Sequence, residues 1–396
     1  MQKKPSNLQL ILMSVLGPFT MHLIIPAITP IQFEFGLDAG TAALLISGTL
    51  WGIAGSTLFF GAFADRFGRR SMLIIGMGVF VLGSVMGLYG ESAAMVIAGR
   101  IVQGIGWATG MVISRAVVRD LYPRDKGTSV LAYLTMAVMI APMIAPAAAG
   151  YMVENMEWRS IFSVASGAGL VIWFWLIMRF PETLKEAIPM PNVMALLKAY
   201  ASVLKEPVFV LYSLTGTFVM TSFFSMMSGA PHVAENTWSL SRDELGYYLG
   251  IGATGMMIST FVTARIAEHV DNNKMILTGV SIVAFGVLTS ITLFSLGYNH
   301  PLSLFGPMML NGLGAGLVLP TTTAQALSIT PKMAGTASGM MTFLQFIIAG
   351  LAAQLIGYFD HSSAWSVLGF MAAAVTMAVI MGVCAVNLSR RRDVMA

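Results

Sequence analysis

The sequence has a single cysteine, Cys384, and no C-x-x-C pair. This scarcity excludes a disulfide framework and a cysteine-based zinc site. Charged residues are also few: they make up 10% of the 396 residues, whereas about 25% is usual in soluble domains. Hydrophobic residues make up 56%, which is more than a soluble core can absorb. The composition therefore indicates a membrane protein, and the net charge of +4 gives no reason to expect nucleic-acid binding.

Sequence motifs of enzyme active sites are absent as well. The chain contains no H-E-x-x-H, no nucleophile elbow and no phosphate-binding loop. Most of its histidines lie near predicted helix ends without the spacing of metal ligands, namely His232, His269, His300 and His361. We therefore expect a protein that is not an enzyme and that needs no cofactor or metal.

Long apolar runs are what the chain has in abundance. A membrane-spanning helix needs about 20 mostly apolar residues. The runs predict twelve such helices, at about 8–30, 41–63, 71–89, 93–113, 127–151, 160–180, 208–230, 245–267, 274–297, 303–326, 334–357 and 364–388. The expected fold class is an all-α membrane protein.

The most polar stretch of the chain, residues 181–206, separates two sets of six predicted helices. We expect a six-helix bundle at 1–180, a cytoplasmic linker with a short surface helix over Val193–Leu204, and a second bundle at 207–396. Lysine and arginine concentrate in alternate loops and at Arg390–Arg392, while the other loops carry mainly acids. This asymmetry predicts that both termini are cytoplasmic.

The two halves also repeat one another in sequence. Gly104 and Gly106 recur as Gly312 and Gly314, at a spacing shared by several other short matches. Two pseudo-symmetric six-helix bundles related by a parallel repeat imply a cleft between them at mid-membrane. They also imply alternating access by rocking of one bundle against the other.

A short basic turn joins the second and third predicted helices. The segment Gly61–Arg70 reads GAFADRFGRR. Its aspartate can accept hydrogen bonds from the amides at a neighbouring helix start, and its arginines can pair with acids on adjacent helix ends. A plain positively charged loop is the alternative, but the glycine spacing and the aspartate favour a cytoplasmic gate. The gate candidates here are Gly61, Asp65, Arg66, Gly68, Arg69 and Arg70.

The fourth predicted helix carries a charge inside the membrane. Arg100 lies roughly 10 Å from the nearer membrane edge, and Gln103 and Trp107 follow on the same helix face. An intramembrane guanidinium is costly and usually marks a pathway or a structural pair. The alternative is an arginine that snorkels to the headgroups, which its depth and polar neighbours disfavour.

His22 is the second ionisable group inside a predicted span. It lies about 21 Å along the first helix, at a depth similar to that of Arg100. An intramembrane histidine can carry a proton near neutral pH, or it can be a neutral hydrogen-bond donor within the bundle. Both interpretations stay open, because a nearby arginine opposes protonation and could silence or tune the histidine.

Acidic residues are missing from the membrane interior. All 18 of them fall in or near predicted loops. A cavity that faces Arg100 and His22 without a buried acid is neutral or positive, so it favours neutral or anionic substrates.

Further candidates follow from position alone. Two prolines and a glycine in the fifth helix suggest a hinge or a close helix contact: Pro142, Pro146 and Gly150. The seventh and tenth helices offer polar and adaptable side chains to a cavity, namely Tyr212, Ser222, Phe223, Met226, Asn311 and Gln325.

These motifs resemble the major facilitator superfamily over essentially the whole chain. The GxxxDRxGRR turn, R-x-x-Q-G-x-G on helix four and the proline–glycine helix five are similar to its drug:proton antiporters. Arg115–Asp120, Trp158–Phe162, Pro181–Thr183 and Gly335–Ser338 resemble the bicyclomycin-resistance (Bcr/CflA) subfamily. The resemblance implies the major facilitator fold and a proton-driven exporter of the bacterial inner membrane. It also implies that Asp65 docks on helix eleven and that Arg66 and Asp120 take part in a cytoplasmic latch. Arg119, which precedes Asp120, is a further gate candidate.

The chain departs from this subfamily in helix one. The subfamily typically has an aspartate where this sequence has His22, while Pro26 and Ala27 are retained. Either His22 takes over proton coupling, or Glu34 or Glu235 does, or transport is not proton coupled in the usual way.

The expected function is export of small amphiphilic drugs or metabolites by a monomer, with protons and the lipid bilayer as its other partners. The alternative within transport is a dedicated carrier of an anionic metabolite, such as a carboxylate siderophore or an amino-acid derivative. A non-transporting membrane receptor on the same fold is a third hypothesis, and it would be expected to carry a soluble signalling domain.

Overall fold

The computed structural model describes residues 5–121, 124–184, 193–267, 269–330, 333–359 and 364–395. The chain divides into two compact units, Met1–Asn192 and Val193–Ala396. His361 and residues 185–192 of the expected linker lie outside the described residues, as does the side chain of Arg119. The domain boundaries expected at 180 and 207 stay a prediction.

The first unit consists of helices joined by short connections. In order they are α1 (Asn7–Leu23), a 3-10 turn (Ile25–Ala27), α2 (Ile28–Phe35), α3 (Ala39–Phe67), α4 (Arg69–Leu88), α5 (Ala93–Leu121), α6 (Arg124–Asn155) and α7 (Arg159–Arg179). The second unit contains α8 (Val193–Leu204), α9 (Pro207–Trp238), α10 (Arg242–Ile266), α11 (Asn272–Ser295), α12 (Pro301–Phe305), α13 (Met308–Ile329), α14 (Ala334–Ile356) and α15 (Trp365–Met395).

The predicted all-α class and the twelve spans are confirmed. Within the described ranges, twelve helical segments are long and apolar enough to cross a membrane. The surface helix predicted over Val193–Leu204 is confirmed as α8. Burial against its own unit raises the pKa of Tyr200 on α8 to about 12, because an apolar environment disfavours the phenolate.

The first span differs from its prediction because it is broken. A single helix was expected over 8–30, but α1 ends at Leu23 and the helix resumes only at Ile28. Pro26, in the intervening turn, has no N–H to donate to the carbonyl four residues earlier, and its ring clashes there. The break leaves His22 in the last turn of α1.

Several helices run further than hydropathy predicts. α5 continues to Leu121 instead of 113, α9 to Trp238 instead of 230, and α15 to Met395 instead of 388. A polar side chain ends an apolar run without ending a helix, since it is solvated where the helix leaves hydrocarbon. As a result His232, expected near a helix end, is buried inside α9.

Glycines of the internal repeat allow close backbone contacts between helices in each unit. A Cβ on Gly104 of α5 would lie 2.4 Å from the carbonyl oxygen of Thr49 on α3. In the second unit, a Cβ on Gly312 of α13 would lie 2.0 Å from the carbonyl oxygen of Gly252 on α10. Small residues allow backbones to approach this closely in a membrane. The repeated glycines therefore perform the same packing in both units.

Candidate functional site

Basic groups occur in the interior of the described structure, and acids do not. Arg69, Arg100, His22 and His232 are all buried, whereas no aspartate or glutamate whose side chain the structure describes is buried. Burying a charge is costly unless it is hydrogen-bonded or paired. The buried groups therefore need particular partners, and these partners define the candidate site.

Arg100 is held by backbone and side-chain acceptors from three helices. Its side chain is 2% exposed. Nε donates to the carbonyl oxygen of Leu45 on α3 at 3.0 Å, and Nη1 donates to that of Thr20 on α1 at 3.4 Å. Nη1 also donates to Oε1 of Gln103, one turn further along α5. The guanidinium thus ties α1 and α3 to α5 inside the first unit.

The amide of Gln103 extends this network to a fourth helix. Its Nε2 donates to Oγ of Ser84 on α4 at 2.8 Å, and Ser84 donates in turn to the carbonyl oxygen of Phe80 at 2.9 Å. Ser84 was not among the predicted site residues. Its signal in the sequence is that it is the one hydroxyl residue in the apolar run that follows Ser71 in α4.

One end of the Arg100 guanidinium has spare hydrogen-bonding capacity. Nη2 is buried and has no acceptor among the described residues. A buried donor without an acceptor costs about 1–3 kcal/mol, and more when it is charged. An oxygen of a bound molecule or of water would satisfy this donor.

Trp107 shares the face of α5 with Arg100 and Gln103, as predicted, and contacts α1. Its ring packs onto Gly17 so closely that a Cβ there would overlap the indole, at 1.7 Å from its nearest atom. The side chain of Trp107 is 8% exposed. Trp107 therefore helps to fix the segment of α1 that leads to His22.

His22 lies on the same segment of α1 that Arg100 contacts. It is buried, and its Nδ1 is 2.7 Å from the carbonyl oxygen of Pro18. Because a carbonyl oxygen only accepts, Nδ1 carries the proton in this contact. Thr20, which accepts from Arg100, is two residues before His22. Arg100 therefore contacts α1 two residues before His22, and the two predicted intramembrane groups lie at the same short segment.

The two other proton-coupling candidates are placed differently. Glu34, near the end of α2, accepts from Nη2 of Arg159 at 2.8 Å and from Nε1 of Trp158 at 2.5 Å. The Arg159 guanidinium also lies 4.2 Å from the centre of the Trp158 ring. Glu34 therefore belongs to a half-exposed clamp that ties α2 to the start of α7. Glu235 is half-buried near the end of α9.

The basic turn forms an ion-pair network at one end of the first unit. Asp65, at the end of α3, pairs with Arg69 at 2.5 Å. Nε of Arg69 also lies 3.1 Å from Oδ2 of Asp120, near the end of α5. The side chain of Arg69 is 3% exposed, although both acids are partly exposed. One guanidinium thus links the ends of three helices.

Glu182 caps the start of α4, a role that the sequence had suggested for Asp65. Its carboxylate accepts from the backbone N–H groups of Arg69 at 3.0 Å and Arg70 at 3.1 Å. Gly68, with φ +94°, makes room for it: a Cβ there would lie 2.4 Å from Oε2 of Glu182. A carboxylate at a helix N-terminus is stabilised by the free amides and the helix dipole. Glu182 is a missed residue whose signal was the Pro181–Thr183 motif.

The remaining gate candidates show fewer interactions. Nη2 of Arg70 donates to the carbonyl oxygen of Ile177 on α7 at 2.8 Å. Arg66 is exposed, and Gly61 is half-buried with nothing within 4 Å of a Cβ built on it.

Two of the polar candidates in the second unit contact each other. Nδ2 of Asn311 on α13 donates to Oγ of Ser222 on α9 at 3.1 Å, and both side chains are buried. Asn311 occupies the place in the repeat that Gln103 has in the first unit, where the amide also contacts a serine. Each unit therefore has a buried amide–serine pair.

The other candidates of the second unit are spread along α9 and α13. Tyr212 donates to Oδ1 of Asn273 on α11 at 2.5 Å, away from the Ser222 pair. Phe223 and Met226 are buried and Gln325 is half-buried.

The proposed hinge residues do not interrupt their helix. α6 runs from Arg124 to Asn155 through Pro142 and Pro146. Both prolines and Gly150 are buried. They stay candidates for hinge or packing roles.

Comparisons with known proteins agree with this architecture. A family model described as Major Facilitator Superfamily matches residues 10–354. The chain is 27% identical to multidrug resistance protein D of Escherichia coli, over 96% of both proteins. It is 26% identical to a bicyclomycin resistance protein homolog of Haemophilus influenzae, over 93% of both.

Solved structures show the same fold at lower sequence identity. A bacterial homolog of the human lysosomal transporter Spinster has a TM-score of 0.73 at 16% identity, covering 97% of this chain and 96% of that one. A D-xylose–proton symporter has a TM-score of 0.72 at 16% identity, covering 94% and 96%.

Proposed function

Because this chain belongs to the Major Facilitator Superfamily, we propose that it is a secondary active transporter that exports small amphiphilic molecules in exchange for protons. Relatives named for multidrug and bicyclomycin resistance, aligned over nearly the whole chain, support export of this kind. We place it in the bacterial cytoplasmic membrane as a monomer with both termini in the cytoplasm, since lysine and arginine concentrate on that side.

Transport proceeds in this proposal by rocking of residues 1–180 against residues 207–396. The Arg69 network with Asp65 and Asp120 acts as the cytoplasmic gate, since its ion pairs join the ends of three helices. Rocking changes the surroundings of these ends, so ion pairs can form in one state and separate in the other. Glu182 positions the start of α4 for this exchange.

The observation that carries the substrate proposal is the buried positive charge of Arg100 in the first unit, which has no buried acid described beside it. Nη2 of Arg100 is a buried donor with no acceptor among the described residues, and none of the acidic side chains that the structure describes is buried. A lipophilic cation gains nothing from such a site, because like charges repel in a low-dielectric interior. We therefore propose neutral or anionic amphiphiles that bring an oxygen acceptor to Arg100.

His22 is the proton-coupling group that we favour. It is buried within the span, beside the part of α1 that Arg100 contacts. Glu34 is already paired with Arg159 and Trp158 in a half-exposed clamp. These partners favour its charged form independently of substrate binding. A protonated His22 is positively charged, as is Arg100, and the two charges repel each other. Proton binding and substrate binding can therefore compete in this part of the bundle.

Replacing His22 with asparagine tests this role. Asparagine can keep a donor to the carbonyl oxygen of Pro18 but cannot titrate. We expect proton-driven uptake into everted membrane vesicles to fall at least ~10-fold and to lose its pH dependence, because histidine is the side chain whose charge normally changes near neutral pH. Downhill substrate efflux should persist.

His232→Asn is the matched control, because it removes a buried histidine from the second unit. It should keep the pH dependence of the native protein. Unchanged pH dependence in His22→Asn, or an equal loss in His232→Asn, would discard His22 as the coupling group.

A dedicated carrier of an anionic metabolite is the second candidate function. The spare donor of Arg100 favours it, since a hydrogen bond between a guanidinium and a carboxylate is charge-assisted and stronger than one to a neutral acceptor. Transport restricted to anions distinguishes this function from broad export.

A further inference from the structure

The short helix α8 lies at one membrane boundary of the second unit. It ends at Leu204, and the span of α9 begins almost at once, at Pro207. Oγ of Ser202 on α8 is 3.6 Å from Sδ of Met333, which directly precedes α14. Since α9 and α14 both start beside α8, the helix lies where these spans enter the bilayer.

Basic residues collect at the same boundary. The span of α15 ends at Arg392, whose Nη1 is 3.5 Å from Oε2 of Glu206, between α8 and α9. This contact places the exposed run Arg390–Arg392 next to α8, which itself carries the exposed Lys198 and is followed by the exposed Lys205. The five cations outnumber the two acids beside them, Glu206 and Asp393, so the boundary has a net positive charge.

α8 has more apolar surface than its own unit covers. One face packs inward, where Tyr200 is 8% and Val203 0% exposed. A second apolar stripe stays exposed, with Met194 at 58%, Leu197 at 55% and Leu204 at 42%. Residues three, four or seven apart share a helix face, so these three side chains line one side of α8, with the small Ala201 between Leu197 and Leu204. A strip of this kind, beside the ends of spanning helices, is suited to lipid.

The two lysines border this apolar stripe. Successive residues are about 100° apart around a helix, so Lys198 and Lys205 lie on one line along α8, next to Met194. Around the helix the order is the buried face, then the apolar stripe, then the two lysines. A helix with an apolar face edged by lysines lies in the membrane plane, with the apolar side chains at the headgroup–acyl boundary.

We propose that α8 is an interfacial helix that binds anionic phospholipid. In this proposal, the stripe Met194, Leu197 and Leu204 enters the headgroup–acyl boundary, and Lys198 and Lys205 donate to the phosphate of the headgroup. Arg392 and its neighbours add to the attraction, because basic residues beside a span draw anionic lipid. The site anchors the start of the second bundle to one leaflet.

The test is lipid binding to the purified full-length protein in detergent, followed by native mass spectrometry. We expect phosphatidylglycerol to bind more tightly than phosphatidylcholine. The double variant Lys198→Gln/Lys205→Gln should bind phosphatidylglycerol ~30-fold more weakly, since each lysine near the surface contributes about 1 kcal/mol. Added salt should weaken this binding in the native protein, because the contacts are close to solvent.

Lys274→Gln is the matched control, because Lys274 is an exposed lysine at a helix start outside α8. It should bind both lipids as the native protein does. Leu197→Ser/Leu204→Ser should weaken binding of both lipids, since the stripe contacts acyl chains. Thermal unfolding of each variant reports whether it is folded.

Three results would overturn the proposal. One is native-like phosphatidylglycerol binding by Lys198→Gln/Lys205→Gln. Another is an equal loss of phosphatidylglycerol binding in Lys274→Gln, which would show that the lipid site is not specific to α8. The third is displacement by inorganic phosphate at matched concentration, which would make the site a phosphate site and not a lipid site.

Discussion

Replacing Arg100 with alanine is expected to abolish transport. The change removes donors to the carbonyl oxygens of Leu45 and Thr20 and to the side chain of Gln103. Buried hydrogen bonds to a charged group contribute about 1.5–3 kcal/mol each, so the three helices lose the group that joins them. We expect substrate accumulation in everted vesicles to drop at least ~100-fold, and the free energy of unfolding to fall by about 3–5 kcal/mol.

Arg100→Lys separates charge from geometry. Lysine keeps the positive charge, but a single ammonium cannot reach all three acceptors in the directions that a guanidinium fork does. Transport by this variant should stay below about a tenth of the native rate, with less loss of stability than in Arg100→Ala. Native transport in Arg100→Lys would show that only the charge matters. Native transport in Arg100→Ala would remove the network from the mechanism.

Replacing Arg69 with alanine is expected to have the second largest effect. Arg69 is almost fully buried between Asp65 and Asp120, so its loss removes the guanidinium that joins these two carboxylates. Like charges at this range repel, and the ends of α3, α4 and α5 should separate. We expect the maximal transport rate to fall ~10- to 100-fold, with a smaller change in apparent substrate affinity, as measured by initial rates in vesicles.

Two further variants distinguish a gate from a plain basic loop. Arg69→Lys keeps the loop charge but not the fork that reaches both acids. A gate therefore predicts impaired transport, whereas a loop that only sets membrane orientation predicts native transport. Adding Asp120→Asn to Arg69→Ala removes the repulsion and should restore part of the rate. A double variant as slow as Arg69→Ala, together with a native Arg69→Lys, would contradict the gate.

The spans were predictable because a bilayer imposes a simple rule. Hydrocarbon requires long apolar helices, so the long apolar runs predicted all twelve spans, and α8 followed from its apolar pattern within a polar stretch. Helix ends were less predictable. The charged ends of α5 and α15 continue as helix outside hydrocarbon, and Pro26 breaks the first span by local sterics that hydropathy does not measure.

The partners of the site residues were harder to predict than the residues themselves. Arg100 and His22 stand out because charge in an apolar run is rare. Their acceptors are backbone carbonyls, as for Leu45 and Pro18, and these carry no sequence signal. Glu182 reaches the start of α4 from far along the chain. Which acid would cap that helix depends on the path of the segment after α7, which no local pattern specifies.

The central claim is that proton entry drives export of neutral or anionic amphiphiles past a positively charged, acid-free interior. The most direct measurement uses the purified protein in proteoliposomes with an imposed pH gradient. It follows substrate accumulation and internal pH together, for cationic, neutral and anionic compounds of matched size. The account predicts gradient-dependent accumulation of neutral or anionic compounds with proton counterflow, and no accumulation of lipophilic cations. Accumulation dominated by lipophilic cations, or accumulation that survives collapse of the gradient, would contradict it.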